Sequence, residues 1–185
     1  MTPQFTATAR KQLLEVARLA LEAGIRGRDY VPRDVDPKLS RPCGAFVTVR
    51  RREGGELRAC LGRVDGSTPL VETVALVAAS AAAHDRRFDP VTLDELPLLT
   101  LEISVLGPMV EVQPEAVEVG VHGVLVRCGQ RSGLLLPQVA VEHGFTREVF
   151  LEQACRKAGL GPQAWREAVD CEIYAFTATL VSEDD

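Results

Sequence analysis

The chain lacks most of the features that announce a function outright. Hydrophobic residues make up 46% of its 185 positions, yet no segment approaches the roughly twenty apolar residues of a membrane-spanning helix. The first residues carry no apolar run of the kind that opens a secretory signal. Five cysteines, Cys43, Cys60, Cys128, Cys155 and Cys171, form no C-x-x-C pair and follow no regular spacing. They read as reduced thiols rather than a disulfide framework, and the expected compartment is the cytoplasm. The three histidines are scattered, with no helical His pair, so no metal motif is present. Neither a P-loop, nor a dinucleotide fingerprint, nor a G-x-S-x-G elbow occurs, and the cofactor is left unspecified.

Excess positive charge is missing too. Lys and Arg total 21 against 26 Asp and Glu, for a net charge of −5. That balance removes the electrostatic term that dominates most nucleic-acid binding, and ranks such a role last. The one dense basic run, Arg50, Arg51 and Arg52, precedes Glu53, Gly54 and Gly55. It reads as a solvated hairpin turn.

What is present is the length of one domain, 1–185, with enough apolar content for a core. Helical spacing of Leu13, Leu14, Val16, Ala17, Ala20 and Leu21 predicts an amphipathic helix over Arg10–Gly24, capped by Thr6 or Thr8. The prolines and Gly27 between Ile25 and Pro42 predict an irregular loop. A hairpin is expected from Gly44–Arg50 and Glu56–Gly62, followed by an Ala-rich helix over Pro69–Ala83. Alternation in Leu98–Leu106 predicts a half-buried strand. Val121–Arg127 and Gly133–Leu136 are expected as strands, the second stopped by Pro137, with a helix over Thr146–Ala158 and a closing strand over Cys171–Leu180. Strands without regular βαβ alternation predict an α+β fold, an antiparallel sheet with helices against it.

The hexapeptide Leu57-Arg58-Ala59-Cys60-Leu61-Gly62 resembles the signature of the AMMECR-domain family, with Ala59 where the family usually has Gly and Leu61 where Ile is commoner. The resemblance continues through Asp85-Arg86-Arg87-Phe88, Asp94-Glu95-Leu96, Glu102-Ile103-Ser104-Val105-Leu106 and Val119-Gly120-Val121-His122-Gly123. It extends to Ser132 through Val139 and to Cys155-Arg156-Lys157-Ala158-Gly159-Leu160 with Trp165, covering about Leu13 to Leu180. It implies a larger antiparallel sheet flanked by helices, with a smaller subdomain packed alongside. The tail is similar to the bacterial and archaeal branch, whose members are named protein A of a system with a Memo-like, dioxygenase-fold partner and a radical S-adenosylmethionine protein. The implied partners are those two proteins; no reaction is implied.

As a strand, Leu57–Gly62 puts Arg58, Cys60 and Gly62 on one face. A guanidinium favours thiolate over thiol, which makes Cys60 the candidate nucleophile and Arg58 its activator or anion holder. The bland reading is a small buried Cys with Arg58 paired to a structural carboxylate. Ala59 adds a methyl where the family's Gly permits close backbone approach. Glu102, on the polar side of its strand, is a candidate partner for Arg58 or a base, and His122 a candidate proton shuttle. Arg87, with Arg86, is suited to hold a carboxylate or phosphate, although a helix C-terminus explains cations there more simply. Candidate ligand-binding residues are thus Arg58, Gly62 and Arg87. Two readings lead: a small-molecule-binding or thiol-dependent catalytic domain around the hexapeptide, and a non-catalytic interaction module serving a partner enzyme.

Overall fold

Thr6 caps the first helix, its hydroxyl accepting from the Ala9 N–H, so that α1 (Ala7–Ile25) starts earlier than its apolar spacing suggested. The computed structural model describes residues 4–184. The other helices are α2 (Leu70–His84), α3 (Pro137–Glu142), α4 (Arg147–Lys157) and α5 (Ala164–Glu167). The strands are β1 (Ala45–Arg51), β2 (Leu57–Arg63), β3 (Leu99–Leu106), β4 (Val110–Glu111), β5 (Gly123–Cys128), β6 (Arg131–Leu135), β7 (Cys171–Phe176) and β8 (Ala178–Ser182). They form two antiparallel sheets, ordered β2-β1-β3-β8 and β4-β7-β5-β6. The chain divides into two units, residues 107–178 and residues 4–106 with 179–184. The α+β class follows from the strand-rich pattern, as expected.

In the unit that carries the first sheet, Val47 and Val49 of β1 and Leu101 and Ile103 of β3 are fully buried with Leu13 and Leu21 of α1 and Val74 and Ala78 of α2. Small residues let α1 and α2 approach closely. A methyl on Gly24 would lie 2.4 Å from the Ala79 carbonyl oxygen, so only Gly fits there. The second unit has its own core, in which Val124 and Val126 of β5 pack with Phe150 and Leu151 of α4 and Trp165 of α5.

Two expectations are corrected and one is extended. The closing strand is two strands in different sheets: β7 pairs with β5 and β4, and β8 lies beside β3. Thr177 separates them, and no Gly or Pro marks the change. Pro137 follows the second hairpin strand, as expected, but also opens α3, where a missing N–H costs nothing. Last, the five thiols are not all reduced. Cys128 and Cys171 stand directly opposite each other across β5 and β7 and are joined as a disulfide, their Cα atoms 4.1 Å apart. Cys43, Cys60 and Cys155 are free.

The disulfide links positions 43 residues apart. Closing a loop of that length removes denatured-state entropy worth about 4 kcal/mol in the chain-entropy account. Urea unfolding with and without a strong reductant should differ by about that amount, and a Cys128→Ala variant should unfold at one midpoint in both. An unchanged wild-type midpoint on reduction would show that the bridge contributes nothing.

Candidate functional site

The hexapeptide occupies β2, at the edge of the first sheet, with β1 on its inner side. Register places Cys60 opposite Thr48, and Thr48 opposite Glu102 of β3. Side chains directly opposite in neighbouring strands share a face, so Cys60, Thr48 and Glu102 form one row across three strands. The Thr48 hydroxyl donates to the Cys60 sulfur at 3.5 Å. Thr48 is buried, whereas Cys60 is half-buried. One step along, Gly62 lies opposite Phe46, and a Cβ on Gly62 would fall 2.2 Å from the Phe46 ring. The close approach therefore belongs to Gly62. Ala59, the family's usual Gly, faces the core opposite Val49 with 1% exposure, where its methyl is filling.

Arg58 departs from the simple alternation. Opposite Val49 stands Ala59 and opposite Arg50 stands Leu57, so Arg58 is the extra residue of a β-bulge, a device that re-aims a side chain. Its guanidinium runs to the segment after α2. Nε and Nη2 donate to the two carboxylate oxygens of Glu95 at 2.8 and 3.0 Å. Nη1 donates to the Asp89 carbonyl at 2.8 Å and Nη2 to that of Pro90 at 3.1 Å. Glu95 also accepts from Arg51 and from the Thr92 N–H. The carboxylate partner of Arg58 is thus Glu95 rather than Glu102.

An edge strand leaves backbone groups without a strand partner. At Cys60 both are taken by side chains: its N–H donates to Asp85 Oδ2 at 2.8 Å, and its carbonyl accepts from Arg87 Nη2 at 3.0 Å. Arg87 also grips Asp85 through Nε and Nη2, at 2.9 and 2.7 Å. Arg87 thus bonds both the Cys60 carbonyl and Asp85, the residue that ends α2. These bonds, led by the one from Arg87, hold the Asp85 carboxyl down at about 2 despite burial. Glu95 is likewise held at about 2, chiefly by Arg58. The Arg87 guanidinium is held more firmly protonated, first by Asp85 and then by the Cys60 side chain.

Four candidates read from sequence, Arg58, Cys60, Gly62 and Arg87, meet on or beside β2, and Glu102 lies on the Cys60 row. His122 belongs to the other unit, in the turn before β5, where its Nδ1 accepts from the Glu118 N–H. Thr48, Asp85 and Glu95 were missed as participants. Asp85 and Glu95 stood within family-like segments, which was the available signal for them. Thr48 left none, because its role comes from strand register. Among the described residues no group of three or more His, Cys, Asp or Glu side chains is arranged to hold a metal ion. Nor is any helix there long and apolar enough to cross a membrane.

A profile of the AMMECR1 family matches residues 14–181. A protein of the archaeon Aeropyrum pernix is 41% identical over 94% of this chain and 78% of its own length. Protein TK0174 of Thermococcus kodakarensis is 42% identical over 93% of this chain and 89% of its own. The crystal structure of PH0010 from Pyrococcus horikoshii, described as an uncharacterized protein, superposes with a TM-score of 0.85 at 39% identity, covering 91% of this chain and 88% of that one.

Two depressed carboxyls make the first unit acid-sensitive. Asp85 and Glu95 bind protons less readily when folded than when unfolded. Their stabilisation is complete above about pH 5 and is lost as pH falls toward 2, at about 2–3 kcal/mol for each. Urea midpoints measured from pH 6 to 2.5 should fall on that limb. Glu95→Gln should be less stable at pH 6, because Arg58 loses its counter-charge, and its acid limb should flatten by about half. A variant limb as steep as that of wild type would refute the assignment.

Proposed function

The chain belongs to the AMMECR1 family, and we propose that it works as a small-molecule-binding domain with thiol-dependent chemistry at Cys60. The observation that carries this reading is the Thr48 hydroxyl donating to the Cys60 sulfur, while Asp85 and Arg87 fix the Cys60 backbone on both sides. The hydroxyl directs a donor at the sulfur, and the thiolate form of a cysteine is the one that attacks electrophiles. Fixed backbone groups keep that sulfur in one place without help from substrate. In this reading Cys60 is the nucleophile and Thr48 positions it, while Glu102, on the same row but two strands away, is too far to take a proton from the sulfur directly. Arg58 supports the site by holding the loop that carries Asp85 and Arg87.

The other two free thiols sharpen the contrast. Burial pushes the Cys43 and Cys155 thiols up, which lowers their thiolate fraction at neutral pH.

A second reading keeps the chain as an interaction module for Memo-like and radical S-adenosylmethionine partners in the cytoplasm, as in the system named for the bacterial and archaeal branch. It draws on Val119, Val121 and Val141 in the second unit, which are 37%, 50% and 63% exposed. Val141 also reaches the turn holding the first two, 3.2 Å from where a Gly120 methyl would sit.

Site-resolved alkylation of the folded protein by iodoacetamide at pH 7 separates the two. Under the thiol reading Cys60 is modified at least about tenfold faster than Cys43 or Cys155, and Thr48→Val slows Cys60 several-fold. If Cys60 stays unmodified until the chain is unfolded, the thiol reading fails and the partner reading takes its place.

A further inference from the structure

We infer that the electrophile taken by Cys60 carries a carboxylate, and that Nη1 of Arg87 is the group that holds it. This rests on the thiol reading above and names the substrate class for the same site.

A guanidinium has five N–H groups. In Arg87 the Nε–H goes to Asp85 Oδ1, and the two N–H groups of Nη2 go to Asp85 Oδ2 and the Cys60 carbonyl. Among the described residues neither N–H group of Nη1 has an oxygen partner, on a side chain that is 57% exposed and whose other polar neighbour is the Cys60 side chain. Arg58 has four of its five N–H groups taken by Glu95, Asp89 and Pro90, and its side chain is only 10% exposed. The one guanidinium bonded to Cys60 is therefore also one with donors to spare. The fork to Asp85 and the contact with the Phe88 ring, 5.4 Å from the guanidinium carbon, hold it in place. A carboxylate on Nη1 thus gains a charge-assisted hydrogen bond without first ordering the side chain.

The surrounding charges favour an anion. Asp85 is 5% exposed at its side chain and already paired with Arg87. Glu102 shares the row of Cys60 but stands two strands away, about 10 Å by ordinary strand spacing. Arg86, next in the chain, is exposed. A ligand seated on Nη1 is within a small molecule's reach of the sulfur, because Nη2 of the same group already touches the Cys60 carbonyl.

Iodoacetate and iodoacetamide differ only in carrying a carboxylate or a neutral amide. With either, the Cys60 thiolate attacks the methylene carbon, the C–S bond forms, and the C–I bond breaks with its electron pair leaving as iodide. The thiol proton has already gone to solvent. The readout is the ratio of the two rates at Cys60, measured by mass spectrometry in the folded protein and again in urea. The folded ratio is expected to exceed the unfolded one by about five- to tenfold, to shrink as salt is raised, and to fall to the unfolded value in Arg87→Gln. The salt series uses wild-type protein and so stands even if that variant folds poorly. If folded Cys60 reacts with iodoacetamide but shows no preference for iodoacetate, the carboxylate inference is overturned and the thiol reading survives. If Cys60 reacts with neither reagent until unfolded, both are overturned.

Discussion

Arg58 and Glu95 meet as a two-toothed fork on a carboxylate, and the same guanidinium holds the carbonyls of Asp89 and Pro90. Both side chains are largely out of water, at 10% and 19% exposure, so the pair is screened little and costly to break. Its consequence is positional. The segment between α2 and β3 has few apolar anchors, Val91 being its buried one, and it lies along β2 because Arg58 grips it at its middle and its end. Asp85 and Arg87 thereby arrive at the Cys60 N–H and carbonyl. Those two bonds blunt an edge that would otherwise offer a free donor and acceptor to another strand. They also remove the freedom of the backbone that carries the thiol.

Electrostatics then sort the charges. Asp85 and Arg87 neutralise each other, as do Glu95 and Arg58, so the clamp stays ionised yet adds almost no net field at the strand. What it leaves over is directional: N–H groups on one nitrogen of Arg87, beside a sulfur that already accepts from Thr48. Preorganised donors of this kind stabilise developing or resident negative charge without having to reorient. A solvated Lys at the same place would supply the charge but not the fixed direction.

Much of this architecture was legible in the order of residues. The hairpin was readable from alternation around the Glu53-Gly54-Gly55 turn, and α1, α2 and α4 from apolar spacing and their flanking residues. The site was half legible. Cys60 was singled out because alternation put it on the face of Arg58, and Arg87 because a guanidinium suits a carboxylate or phosphate. For Arg58, pairing with a structural carboxylate was one of the readings open from sequence, but alternation put it on the Cys60 face and cannot reveal a bulge, since one extra residue opposite Val49 and Arg50 is a property of the pairing. Thr48 stayed invisible for a related reason: β1 must be known to lie between β2 and β3 before its hydroxyl has a neighbour. The Cys128–Cys171 bridge is of the same kind, since only the β5–β7 register brings those two positions opposite. The β7–β8 division escaped because apolar residues continue through Phe176, Thr177 and Ala178 without a breaker.

The five cysteines illustrate how little residue type alone decides. Two face each other across a ladder and are joined. Cys155, on α4, is fully buried, with its thiol pushed up, and Cys43 is pushed up by burial as well. Those environments favour the neutral, inert thiol, which packs as a small hydrophobe. Cys60 alone combines partial exposure with a hydroxyl aimed at its sulfur and a guanidinium on its own carbonyl. Thr48 meets the Cys60 side chain while Asp85 and Arg87 hold its backbone, so two separate parts of the chain converge on this one residue.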